Sequence, residues 1–168
     1  KSKLFDFEKM IKIAFDKNVG VTFLITLVYS FAFGLLIFAF QPFAVKVLML
    51  DAKHIAYTFM LFGVVGLITQ ILLLPKIVKL FGEKKILAYS LLLMAFSFFF
   101  MYLVRSIPLF VIVAIVFGFS NSFVIPLIQT ILSKETDAKS QGSMQGLNSA
   151  YVSIGTIIGP ILGGALAS

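Results

Sequence analysis

The sequence predicts an all-α membrane protein with five transmembrane helices and a cytoplasmic N-terminus. Three observations carry this reading. Hydrophobic residues make up 60% of the 168 positions and charged residues only 12%. Mean hydropathy is +1.08, which leaves too little polar surface to cover a soluble domain. Long apolar stretches then recur along the chain, each near the ~20 residues that a helix needs to cross a hydrocarbon core. Finally, the basic residues divide unequally between alternate loops.

Residues 1–18 carry apolar side chains at Leu4, Phe7, Ile11 and Ala14, a helical stripe among charges. The segment lacks the continuous apolar run of a signal peptide. It reads as a cytoplasmic amphipathic lead-in, with an interfacial or partner-docking helix as the alternative. The membrane domain follows over residues 19–168, with spans at about 19–45, 55–74, 86–104, 108–132 and 144–167. With the N-terminus inside, eleven cations fall on the cytoplasmic side (Lys1, Lys3, Lys9, Lys12, Lys17, Lys76, Lys79, Lys84, Lys85, Lys134 and Lys139). Only Lys46, Lys53 and Arg105 fall outside. This is the bias of the positive-inside rule, and one span more or fewer would scramble it. The net charge of +7 therefore points to membrane topology and not to nucleic acid.

The spans differ in character. The third, "ILAYSLLLMAFSFFFMYLV", is bulky and almost uniformly apolar, as expected of a helix facing lipid. The second, fourth and fifth hold the small and polar residues and are expected to lie inward. In the fourth, Gly118 and Ser122 sit one turn apart and Pro126 removes a backbone hydrogen bond, so a close approach and a kink are expected. In the fifth, Gly155, Gly159 and Gly163 repeat every four residues and Pro160 interrupts the ladder. Such a strip admits another helix backbone closely, and with the proline it reads as a bending or sliding surface.

Several chemistries are excluded. The chain has no cysteine and one histidine, which removes disulfides, thiolate metal sites and most histidine catalysis. His54 reads as a solvated residue of an outside loop. No ionisable side chain sits well inside a span, so neither a proton relay nor an intramembrane enzyme is expected. No cofactor or metal is implied. Neutral polar groups do enter the spans, and in lipid they must face protein or water. They include Gln70, Ser120, Ser122, Ser153 and Thr156. Phe31, Phe38, Gln41, Asn121, Gln129, Asn148 and Tyr151 are the candidate cavity residues, aromatics stacking on a small-molecule substrate and amides orienting it.

"SQGSMQGLNSAYVSIGTIIGPILGG" resembles the eleventh helix of major facilitator superfamily transporters, especially the drug:proton antiporter and tetracycline-resistance-like branch. "LLPKIVKLFGEKKIL" resembles the family's cytoplasmic loop between helices eight and nine. Gly82, Lys84 and Lys85 match the end of its signature; Pro75 stands where the first glycine would be, and Lys79 and Leu80 where Asp-Arg would be. Span order and loop lengths match helices seven to eleven, over essentially the whole chain.

The resemblance implies part of one six-helix half of a major facilitator fold, working by alternating access. It implies proton-coupled efflux of small, largely apolar compounds, with the N-terminal half as a missing partner and the cell membrane as the location. The chain opens on lysine and closes in an apolar run, and is expected to be a piece of a longer protein. Uptake or export of sugars or metabolites on the same fold, and a non-transport membrane scaffold or assembly protein, are the alternatives.

Overall fold

The computed structural model describes residues 19–138 and 140–167. The lead-in stripe and Lys139 lie outside them. Five helices make up the described chain: α1 (Gly20–Lys46), α2 (Ala52–Phe81), α3 (Glu83–Leu103), α4 (Ile107–Lys134) and α5 (Gln141–Ala167). The first four are long and apolar enough to cross a membrane. The fifth has the length, 27 residues, while Gln141, Gln145 and Asn148 dilute the apolarity of its first turns. The chain is an all-α membrane protein.

Two compact units divide it: residues up to Phe40 with those from Ile131 onward, and Gln41–Thr130. In the first, α1 packs on α5. In the second, α2, α3 and α4 pack around Phe117. Its ring meets Phe62 edge-on at 5.5 Å and Phe98 at 5.3 Å, within the range of favourable aromatic geometry.

The expected loop between the first two spans shortens to 47–51, because α2 starts earlier than the apolar run does. Asp51 caps it: Oδ1 accepts from the His54 amide at 2.8 Å and meets the His54 ring Nδ1 at 2.6 Å. That amide bond, then the ring, holds the exposed Asp51 carboxyl below its ordinary range. His54 is therefore in the first turn of a helix and not in a loop; charged residues there hide a helix start from a hydropathy reading.

Near the end of its apolar stretch α2 passes through a five-residue π-turn, Thr69–Leu73, where Leu74 donates to the Thr69 carbonyl. The proline ring at position 75 would crowd the carbonyl four residues back in an α-helix, and the wider turn relieves this. Gly82 ends α2 and begins α3 at φ +80 and ψ 155, a region essentially reserved for glycine.

Helix α3 has two faces: Ile86, Ser90, Met94, Ser97 and Met101 form a buried stripe, while Leu92, Phe96, Phe99 and Leu103 are exposed. Helix α2, expected to lie inward, is the more exposed of the two. Among its described residues only Thr58 and Thr69 are buried, and Tyr57, Met60, Leu67 and Ile71 are largely exposed. Its small residues make a thin contact and not a core: a Cβ on Gly63 would meet nothing within 4 Å.

Candidate functional site

The densest polar arrangement lies between α1 and α5. Thr22, Thr26, Ser30 and Gly34 recur every four residues on α1 and so share one face. Opposite them stand Asn148, Tyr151, Gly155 and Gly159 of α5. Thr26 Oγ1 lies 2.9 Å from Asn148 Oδ1 and 3.0 Å from the Thr22 carbonyl. One hydroxyl proton serves one acceptor at a time, so the threonine can turn between its own helix and the neighbour. One turn away, the Phe23 and Tyr151 rings lie 5.0 Å apart. Thr26 and Asn148 are both buried.

Above this polar pair the helices meet backbone to backbone. A Cβ on Gly155 would come within 2.8 Å of the Phe31 nitrogen and 2.9 Å of the Leu27 carbonyl. On Gly159 it would stand 2.7 Å from the Phe31 carbonyl and 2.8 Å from the Leu35 nitrogen. At Gly163 the nearest atoms are the Phe38 ring and the Leu35 side chain, at 2.8 and 3.2 Å. From the other side, a Cβ on Gly34 would lie 3.1 Å from Pro160 Cδ. The seam thus requires glycine on α5 and is tight at Gly34 of α1, and α5 runs through Pro160 without a break.

The second unit shows a related device. Gly118 of α4 faces Phe62 and Val65 of α2, at 3.4 and 3.6 Å from its would-be Cβ, and Gly66 approaches Ser122. Pro126 deprives the Ser122 carbonyl of its helical donor, and Gln70 Nε2 donates to it at 3.4 Å. Helix α4 continues past Pro126 to Lys134.

The seven candidate cavity residues are shared between the two units. Phe31, Phe38, Asn148 and Tyr151 belong to one unit, and Gln41, Asn121 and Gln129 to the other. Asn148 and Tyr151 are adjacent and buried in helix packing. Phe38 stands twelve residues beyond Thr26 on α1, about 18 Å along the axis. Phe31 contributes its backbone to the seam, Gln41 and Gln129 are exposed, and Asn121 is half-buried. Sequence reasoning missed Thr22, Thr26, Ser30 and Gly34. Their signal was present: a small residue at every fourth position of the first span, the same period as the glycines of the last.

The second unit holds apolar cavities. One, of about 260 Å³, is bordered by Leu50, His54, Tyr57 and Phe110. The larger, about 500 Å³, is formed by α2, α3 and α4, with Thr69 as the one hydroxyl in its lining.

The sequence is similar to those of several known proteins. Multidrug resistance protein 1 of Bacillus subtilis (strain 168) is 32% identical over 146 residues, 87% of this chain and 37% of that protein. Multidrug resistance protein 2 of the same organism is 27% identical over 161 residues, covering 96% of this chain and 40% of the relative. Solute carrier family 22 member 18 of Mus musculus is 25% identical over 166 residues, 99% of this chain and 41% of the relative. The chain spans about two fifths of the length of these relatives. The family model of the Major Facilitator Superfamily matches residues 22–168, nearly everything described above, and the chain belongs to that family.

Proposed function

We propose that this chain is part of an exporter of small, largely apolar compounds, driven by protons and working by alternating access in the cell membrane. The observation that carries the reading is the α1–α5 seam. Two helices meet there through glycine and small hydroxyl residues, with Thr26 offered two acceptors. A seam without bulky interlocking side chains lets one helix slide or tilt on the other with few rotamer changes. The similarity to two Bacillus multidrug resistance proteins supports efflux as the direction and drugs as the substrate class.

On this reading the N-terminus is cytoplasmic and the exposed apolar side of α2 is covered by further helices of the transporter. Phe31, Phe38, Gln41, Asn121, Gln129, Asn148 and Tyr151 supply substrate contacts as those helices close the cavity. Proton coupling then rests on carboxylates elsewhere in the transporter, since the acidic residues between Gly20 and Ala167 (Asp51, Glu83, Glu135 and Asp137) stand at or beyond helix ends. The Lys84 and Lys85 pair after Gly82 marks the cytoplasmic hairpin.

The test is ethidium efflux from a pump-deficient bacterial host expressing the natural full-length protein. Efflux that a protonophore abolishes is the expected result. Retention of ethidium, with the protein inserted and folded, would overturn the reading. Efflux insensitive to the protonophore would remove the coupling ion alone.

A further inference from the structure

The larger cavity is a groove at membrane depth. Val65, Ile68, Thr69 and Leu73 of α2, Leu93 of α3, and Ile115, Val116 and Phe119 of α4 line it. Ile68, Leu93 and Ile115 are exposed, so it opens on the outer surface of the unit. Its volume of about 500 Å³ lies within the range of small-ligand sites, roughly 300–1,000 Å³. Leu93 is ten residues into α3, about 15 Å from the helix start and so about halfway across a ~30 Å hydrocarbon core.

The lining itself is uncharged, and basic residues follow it along both α2 and α3 toward the hairpin. Lys85, Tyr89 and Leu93 succeed one another every four residues along α3 and share a face. On α2, Lys76 follows Leu73 by three residues, again one turn along the same side. Lys76, Lys85 and Tyr89 are all exposed. A cation, a tyrosine and an apolar trough thus stand in order along α3, roughly 6 Å apart. That is the order of phosphate, ester and hydrocarbon in a phospholipid. Lys79 and Lys84 at the same hairpin add to the positive potential, and lysines near an anionic leaflet attract such lipids.

We propose that the α2–α3–α4 groove binds one anionic phospholipid, with its phosphate on Lys76 and Lys85 and an acyl chain along Leu93 and the π-turn. The charge complementarity at one end and the hydrocarbon lining at the other commit the site to this occupant. The inference is independent of the transported substrate. It rests on the hairpin and its neighbour α4 alone.

Photo-crosslinking tests it. The natural full-length protein, in nanodiscs, receives either phosphatidylglycerol or phosphatidylcholine bearing the same diazirine-labelled acyl chain, and labelled peptides are mapped by mass spectrometry. Phosphatidylglycerol is expected to label 65–73 and 115–119 in preference to phosphatidylcholine, and Lys76→Ala with Lys85→Ala to lower that preference by on the order of tenfold. Filling the groove with Val116→Phe is expected to abolish labelling of these peptides by either lipid. Equal labelling by both lipids, unchanged in the lysine variant, would mean ordinary boundary lipid and overturn the proposal. Displacement of the label by tetraphenylphosphonium would assign the groove to the substrate path and also overturn it.

Discussion

Gln70 on α2 supplies the hydrogen bond that Pro126 denies to Ser122 on α4. The amide reaches the orphaned carbonyl at 3.4 Å, four residues before the proline. The two residues are therefore coupled. Gln70→Leu is expected to cost about 0.5–1 kcal/mol, the usual worth of an interhelical hydrogen bond in a membrane protein. In a Pro126→Ala background the Ser122 carbonyl regains its helical partner, and the same Gln70→Leu change is expected to cost almost nothing. Thermal unfolding in detergent, run as a double-mutant cycle, reads the coupling.

The glycine seam makes a graded prediction. Gly155→Ala and Gly159→Ala each force a methyl against α1 backbone, and each is expected to destabilise by about 1–3 kcal/mol. Gly163→Ala meets only the Phe38 and Leu35 side chains, which can move, so its cost is expected to be smaller. Gly164→Ala, with nothing nearer than 3.8 Å, is expected to be neutral. Loss of this ranking in thermal midpoints would remove the close-packing account.

These helix contacts were legible in the sequence to different degrees. Glycine, unlike most residues, states its reason for being in a helix, so the α5 face followed from Gly155, Gly159 and Gly163 alone. Threonine and serine are at home in many membrane environments, so Thr22, Thr26 and Ser30 did not single themselves out until Asn148 was found opposite. The ends of α2 were hidden for another reason. Asp51 caps a helix whose first turn is charged, and Pro75 sits inside it through a π-turn, whereas hydropathy reports where a chain is apolar and not where it is helical.

Gly82 is a second kind of glycine. A Cβ there would meet nothing within 4 Å, yet its φ is +80. Gly82→Ala is expected to cost about 1–3 kcal/mol through backbone strain, without any steric clash. Lys84→Ala, two residues on, serves as the control and is expected to change the thermal midpoint little.

Ser30 offers the opposite sign. Its hydroxyl is buried and, among the described residues, without a hydrogen-bond partner. Removing an unsatisfied buried polar atom relieves a desolvation penalty of about 1–3 kcal/mol. Ser30→Ala is thus expected to raise the thermal midpoint or leave it unchanged. A fall would show that the hydroxyl is bonded in the membrane.

At the opposite end of α2 the expectation concerns pH. Folding lowers the Asp51 carboxyl, so its contribution is present above the ordinary carboxylate value of about 3.9. It fades as pH falls through the lower folded value. Asp51→Asn keeps a capping oxygen but cannot ionise, and is expected to flatten this part of the profile. Thermal midpoints between pH 3 and 6 compare the two proteins.

The π-turn has a consequence for the α2 sequence as a ruler. Five residues occupy Thr69–Leu73 where regular winding would place between three and four per turn. Everything beyond it is consequently rotated by about 100° relative to an uninterrupted helix. Deleting a single residue at position 71 or 72 would let α2 run on as a regular helix with Lys76 and Val78 at their present azimuths. Straightening the turn without shortening the chain would instead swing both by that angle. The π-turn therefore absorbs one residue of length without turning the basic hairpin.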